Sequence, residues 1–227
     1  MNMKKLTFLS LFLMTVLASA QTTITKQLGE FSTLKVYNGI DLKLVKSDEI
    51  KIIVTGEKSD KVKIKQSGNT LKVSLKFPET TADGTVKATL YYTNDIAIID
   101  ANEGATITGK NIEQTKVEIK GQEGAFINLV INTKHLKVKT TSGAVIKLTG
   151  TTKNQTINAN LGGIYHGFNV EVTNMTMARA GSGSKVEVQS GETLDAKVSF
   201  GGSIFYKGEP EVLKDKKVIG GVIEHRS

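Results

Sequence analysis

The chain has 227 residues, 39% of them hydrophobic, with a formal charge of +8 and no cysteine. Without cysteine it can form no disulfide and offers no thiol for lipid attachment, so packing alone must hold an exported form together. The positive charge is spread along the chain with no basic tail, which argues against nucleic-acid binding. Beyond an N-terminal run, no apolar stretch approaches the roughly 20 residues of a membrane-spanning helix.

Lys4 and Lys5 precede an apolar run over residues 6–17, and Ala18-Ser19-Ala20 forms an A-x-A site before Gln21. That is the pattern of a secretory signal peptide covering residues 1–20, and an apolar run of about 12 residues is too short for an anchor helix. The expectation is export to the periplasm, the cell surface or the medium, with the mature chain beginning at Gln21 and not integral to a membrane.

Residues 21–30 form a polar leader, and from Phe31 the pattern becomes short runs of period two, the signal for half-buried strands. Runs over 34–37 and 40–44 flank Asn38-Gly39, a pair that tolerates the positive φ of a tight hairpin turn. Residues 50–55 form a third run. Those over 61–65 and 71–75 flank Ser67-Gly68-Asn69, a second hairpin candidate, and 86–92 follow a turn around 78–84. Residues 31–95 thus read as less regular N-terminal strands, forming first coils or a β cap with local hairpins.

From residue 96 to 227 a glycine-anchored segment returns seven times, at Gly104, Gly124, Gly143, Gly162, Gly183, Gly201 and Gly220. The spacings of 20, 19, 19, 21, 18 and 19 residues mark a repeat architecture. The residue after each anchor is small, and the column three after it holds Ile107, Ile127, Ile146, Tyr165, Val186, Ile204 and Ile223. Five before the anchor lie Ile99, Ile119, Val138, Ile157, Ala178 and Ala196, until Asp215 breaks the column. Each repeat reads as a strand before and a strand after a glycine corner. The fold class expected is all-β, a parallel β-helix (β-solenoid) with about 19–20 residues per coil, stacked so that like positions form columns ~4.8 Å apart. Neither a hexapeptide repeat nor a calcium-binding glycine-aspartate repeat is present.

The opening Phe31-Ser32-Thr33-Leu34-Lys35-Val36 with Gly39-Ile40-Asp41-Leu42, Gly68 before Leu71-Lys72-Val73, and the segments Thr141-Ser142-Gly143-Ala144 and Gly181-Ser182-Gly183-Ser184 together carry a resemblance. With them the chain resembles the putative auto-transporter adhesin, head GIN domain family, over nearly all of its mature length. The resemblance implies a single right-handed β-helical domain over residues 21–227, exported, with an adhesin-like or envelope-associated role. It supplies no catalytic residues. Glu103, Glu123, Leu161 and Phe200 depart from a regular Ser-Gly-Ala repeat.

Glu103 and Glu123 both precede an anchor, so on adjacent coils they stand one strand spacing apart, near the carboxylate separation of a retaining glycosidase. Read more plainly, they are solvated turn carboxylates relieved by Lys110 and Lys120. His135, His166 and His225 fall in different columns and are not spaced for zinc, so no metal and no cofactor is expected. Tyr165, Phe168, Phe200, Phe205 and Tyr206 could supply a sugar-stacking patch, although Tyr165 and Tyr206 lie in inward columns. Four before each anchor runs Asp100, Lys120, Lys139, Asn158, Arg179, Lys197 and Lys216, an outward column dominated by cations. Lys120, Lys139, Arg179, Lys197 and Lys216 are therefore candidate binding residues for anionic glycans or other envelope components, weighed against ordinary solubilising lysines on an edge-rich fold. Glu118 and Asp195, two residues earlier on the same face, partly neutralise the row. The function expected is a non-catalytic, adhesin-like binding or structural module, and the alternative is a carbohydrate-active β-helix enzyme.

Overall fold

Period-two alternation turns about 65% of the described residues into strand. A computed structural model describes residues 23–227, so the expected signal peptide lies outside the described residues. In chain order the strands are β1 (Ile24–Gln27), β2 (Thr33–Val36), β3 (Asp41–Lys46), β4 (Lys51–Gly56), β5 (Val62–Ser67), β6 (Thr70–Leu75) and β7 (Val86–Tyr92). They continue as β8 (Ile98–Ala101), β9 (Thr106–Gly121), β10 (Phe126–Thr140), β11 (Val145–Ala159), β12 (Ile164–Ala180), β13 (Lys185–Gln189) and β14 (Thr193–Ser199). The last three are β15 (Ser203–Lys207), β16 (Val212–Val218) and β17 (Val222–His225). One 3-10 turn, Ser59–Lys61, interrupts them.

From β8 onward each coil pairs in parallel with the next, and the coils stack into a β-solenoid of about seven turns. The expected columns are the observed ladders. Ile107, Ile127, Ile146, Tyr165, Val186 and Ile204 are register partners in succession and fully buried. So are Ile99, Ile119, Val138, Ile157, Ala178 and Ala196. Burying one such aliphatic side chain contributes roughly 1.5–3 kcal/mol, and the columns repeat that gain in every coil. A strand does precede and follow each anchor; in β9 to β12 the stretch from one anchor to the next is one continuous strand, and from β13 onward that stretch divides into two. Along β10, two consecutive outward residues, Lys134 and His135, reset the alternation at a second corner.

All seven anchors have positive φ, between 70° and 75°, and the residue before each is also left-handed. Each such turn holds its neighbour: Gly104 donates its N–H to the Glu123 carbonyl at 2.9 Å and Gly124 donates to that of Ser142 at 3.0 Å. Just inside the corner, a Cβ on Gly163 would stand 2.6 Å from the Thr140 carbonyl carbon and oxygen. That crowding is why the column after the anchor is small.

The N-terminal strands depart from the sequence expectation at one turn. Asn38 and Gly39 do have positive φ, 61° and 65°, but β2 and β3 do not pair with each other. Each lies between two other strands: β2 between β6 and β8, β3 between β7 and β9, all parallel. Asn38-Gly39 is therefore a solenoid corner, and Gly39 donates to the Glu103 carbonyl of the next coil at 2.8 Å. The second expected hairpin is present, with β5 and β6 antiparallel and Ser67 opposite Thr70. The coil formed by β2 and β3 is thus inserted between β6–β7 and β8–β9, although it precedes both in the chain. Antiparallel β5 lies outside β6, and β4 outside β7 with β1 beyond it.

Candidate functional site

The stacking register fixes the outward columns as firmly as the core. Asp100, Lys120, Lys139, Asn158, Arg179, Lys197 and Lys216 are successive partners across β8, β9, β10, β11, β12, β14 and β16. At ~4.8 Å per coil they form a straight row. Two members were not accessible to period arithmetic: Lys35 pairs with Asp100, and Lys72 with Lys35. Nothing in the local pattern says that β2 sits beside β6 and β8.

The row is not a uniform outward stripe of charge. Asp100 is buried, its side chain 2% exposed, and it is bracketed by Lys120 Nζ at 3.5 Å and Lys35 Nζ at 3.7 Å while Asn102 donates to it at 3.1 Å. Lys139 lies 3.0 Å and Lys137 3.4 Å from Glu118. Burial pushes the Glu118 carboxyl up, but Lys139 and Lys137 together outweigh it and hold the group below the usual glutamate range. Arg179 grips both Asp195 oxygens, at 2.9 and 3.0 Å, and donates to the Asp195 carbonyl at 2.8 Å. Lys197 and Lys216 are exposed and take part in none of the ion pairs found among the described residues. A shallow groove of about 550 Å³ follows the row from Lys120 to Lys197, bounded on its other side by corner residues such as Gln122, Thr141, Asn160 and Phe200.

Glu103 and Glu123 do occupy neighbouring coils, at left-handed corner positions. Glu103 Oε2 accepts a 2.6 Å hydrogen bond from the Asn38 side chain, and neither glutamate lines the groove beside the basic row. His135, His166 and His225 lie on β10, β12 and β17, and no group of three or more metal-capable side chains converges among the described residues. The aromatic candidates separate. Tyr165 is fully buried and its hydroxyl donates to Gln155 at 3.4 Å, Tyr206 packs on the core, and Phe200 projects from an anchor corner. Phe168 and Phe205 stay on one outer face, where Phe126, exposed and not picked out from the sequence, joins them.

A family model described as "Putative auto-transporter adhesin, head GIN domain" matches residues 30–210. No curated protein matches the chain. Among solved structures, a putative adhesin from Bacteroides fragilis superposes with a TM-score of 0.83 at 18% identity, covering 92% of this chain and 98% of that one. A putative adhesin from Parabacteroides merdae gives 0.70 at 18% identity with the same coverage. A putative lipid binding protein from Parabacteroides distasonis gives 0.69 at 17% identity, again over 92% and 98% of the two chains. At such identities the likeness is one of fold.

Proposed function

The chain belongs to the putative auto-transporter adhesin, head GIN domain family, and from that membership we propose that it is an exported, non-catalytic binding module of the cell envelope. Its ligands on this reading are anionic polymers such as acidic surface glycans, held along the basic column of Lys120, Lys139, Arg179, Lys197 and Lys216. The observation that supports the reading is the register: five cations in one parallel ladder, four of which, Lys120, Lys139, Arg179 and Lys197, line a shallow groove. A row of like charges at this pitch raises local positive potential, and exposed charges are screened over about 8 Å at physiological salt. Attachment is therefore modest and strongly salt-dependent.

The ion pairs refine which members matter. Lys120, Lys139 and Arg179 already serve Asp100, Glu118 and Asp195, so the attraction comes chiefly from Lys197 and Lys216. Retention of the mature protein on an anionic polysaccharide column tests this. The Lys197→Glu, Lys216→Glu variant should elute at markedly lower salt than wild type, and Lys120→Glu, Lys139→Glu should shift less while also losing stability. Equal elution salt for wild type and the first variant would reduce the row to solubilising lysines. Catalysis by Glu103 and Glu123 is the competing reading, and polysaccharide turnover lost in a Glu103→Gln, Glu123→Gln variant would establish it instead.

A further inference from the structure

Across the anchor corner from the basic column, a second outer face carries aromatic rings that the proposed function leaves unused. Its origin is an inward residue. Tyr165 enters a column otherwise filled by aliphatic residues, and a Cβ on Gly167 would lie 2.4 Å from its ring. Glycine two residues on therefore makes room for the ring, and the register slips by one between Lys147/His166 and Thr149/Asn169. Gly167 and Phe168 oppose the single residue Leu148, a bulge that turns Phe168 outward. Two shallow grooves, of about 470 and 440 Å³, share Phe168 and Glu187 and so run together as one trough along the solenoid axis. Phe126 and Val145 line its first part, Phe205, Lys207 and Arg226 its second.

Every ring in the second part is topped by a cation. Lys207 Nζ lies 5.4 Å from the centre of Phe168, and Phe205 has Lys185 Nζ at 5.7 Å and the Arg226 guanidinium at 4.6 Å. Glu187 is already committed, with His166 Nδ1 at 2.6 Å and Lys185 Nζ at 2.5 Å. Arg226 is shared with Glu224 at 3.1 Å, and Lys207 takes part in none of the ion pairs found among the described residues. The trough is open, so it cannot enclose a small molecule over most of its surface as a typical pocket does. It suits an extended chain held at several weak points.

We propose that this trough binds acidic oligosaccharides of the uronic-acid class, with sugar rings on Phe168 and Phe205 and their carboxylates chiefly at Lys207, the one of the three cations with no ion pair among the described residues. A cation over an aromatic face satisfies the negative face of the ring quadrupole. An acidic sugar exchanges that arrangement for a second one: the C–H face of the pyranose takes the place over the ring, and the carboxylate receives the displaced cation. Phe168 and Phe205 are two coils apart, about 10 Å at the strand pitch, a distance that a short oligosaccharide bridges. The inference rests on the reading that the module binds acidic glycans, and it adds the surface that selects a sugar from other polyanions.

The experiment measures binding of an oligogalacturonate, a neutral malto-oligosaccharide and polyphosphate to the mature protein by isothermal titration, for wild type, Phe168→Ala/Phe205→Ala and Lys197→Glu/Lys216→Glu. Wild type should bind the oligogalacturonate and not the neutral sugar. The phenylalanine variant, checked for native circular dichroism, should lose roughly tenfold in oligogalacturonate affinity, the scale of one or two lost aromatic contacts, while keeping its polyphosphate affinity. Phe168→Tyr/Phe205→Tyr should restore binding. Unchanged oligogalacturonate affinity in the alanine variant, an equal loss for polyphosphate, or no oligogalacturonate binding by wild type overturns the proposal. Failure of the basic column shows separately, as polyphosphate binding indifferent to the lysine substitutions.

Discussion

The two ends of the solenoid treat the same columns in opposite ways. At the β6–β7 end Leu71, Val73, Ala88 and Leu90 are buried, because β5 lies against β6 and β4 against β7. At the β16–β17 end the ladders through Ala196 and Val198 run out into Asp215 and Lys217, and Leu213 is 47% exposed. An apolar residue in a coil is stabilising only when a neighbour lies on both sides of it. The covered end keeps its columns apolar, whereas the open end places charges at inward positions and lysines along its unpaired strand, which also discourages pairing with another edge.

The sharpest way to break this comparison is to move a charge along one column. Val138→Asp puts a carboxylate at a fully buried position of the ladder that ends in Asp215, and the expected cost is several kcal/mol, enough to abolish cooperative folding. Asp215→Val should change the thermal midpoint by only a degree or two in the same melts followed by circular dichroism. Similar effects at both sites would mean that the open end is covered in solution.

A smaller effect separates crowding from backbone strain. Gly163→Ala drives a Cβ into the Thr140 backbone at 2.6 Å and should cost about 1–3 kcal/mol. Gly220→Ala, in the last coil, meets no atom closer than 4.0 Å and faces only the strain of φ 73°, roughly 1 kcal/mol. Denaturant titration of both variants checks the order, and a larger loss at Gly220 would reverse it.

The smallest expected effect is electrostatic and belongs to the body rather than the open end. The Glu118 carboxyl is held low by Lys139 and Lys137 despite burial. Its folded pKa lies below the unfolded one, so its contribution is fully present above the ordinary glutamate value of about 4.3 and is lost as pH falls through the folded value. The pairs are half-exposed, so the contribution is at most about 1 kcal/mol. Glu118→Gln should flatten the fall of stability over that acidic window.

How much of this was legible depended on whether a feature recurs. Left-handed corners leave an invariant glycine and a small neighbour, so the anchors and the columns on either side could be aligned by counting, and the basic row with them. Asn38-Gly39 was misread as a hairpin because a pair of positive φ values serves a tight hairpin and a solenoid corner equally well. The coil order near β2 could not be read at all, since alternation says that a segment is a strand and nothing about which strands flank it. Burial of Asp100 followed from that hidden order, because Lys35 closes over it from β2. Phe168 escaped placement for another reason: the bulge that turns it outward answers to the bulk of Tyr165, a packing event inside a single coil.

The inserted coil also decides how the body resists a pull. A load that draws the chain away past β17 strips one coil from the open end at a time, each step breaking a single ladder. A load applied through β1 first frees β1 from β4 and then reaches β2 and β3, which are held on both sides. Two ladders must then give way together, and the neighbouring coils must part before the strand can leave. Under a pull on both ends of the solenoid, that asymmetry makes the inserted coil the mechanical clamp and the open end the place where tension is first released.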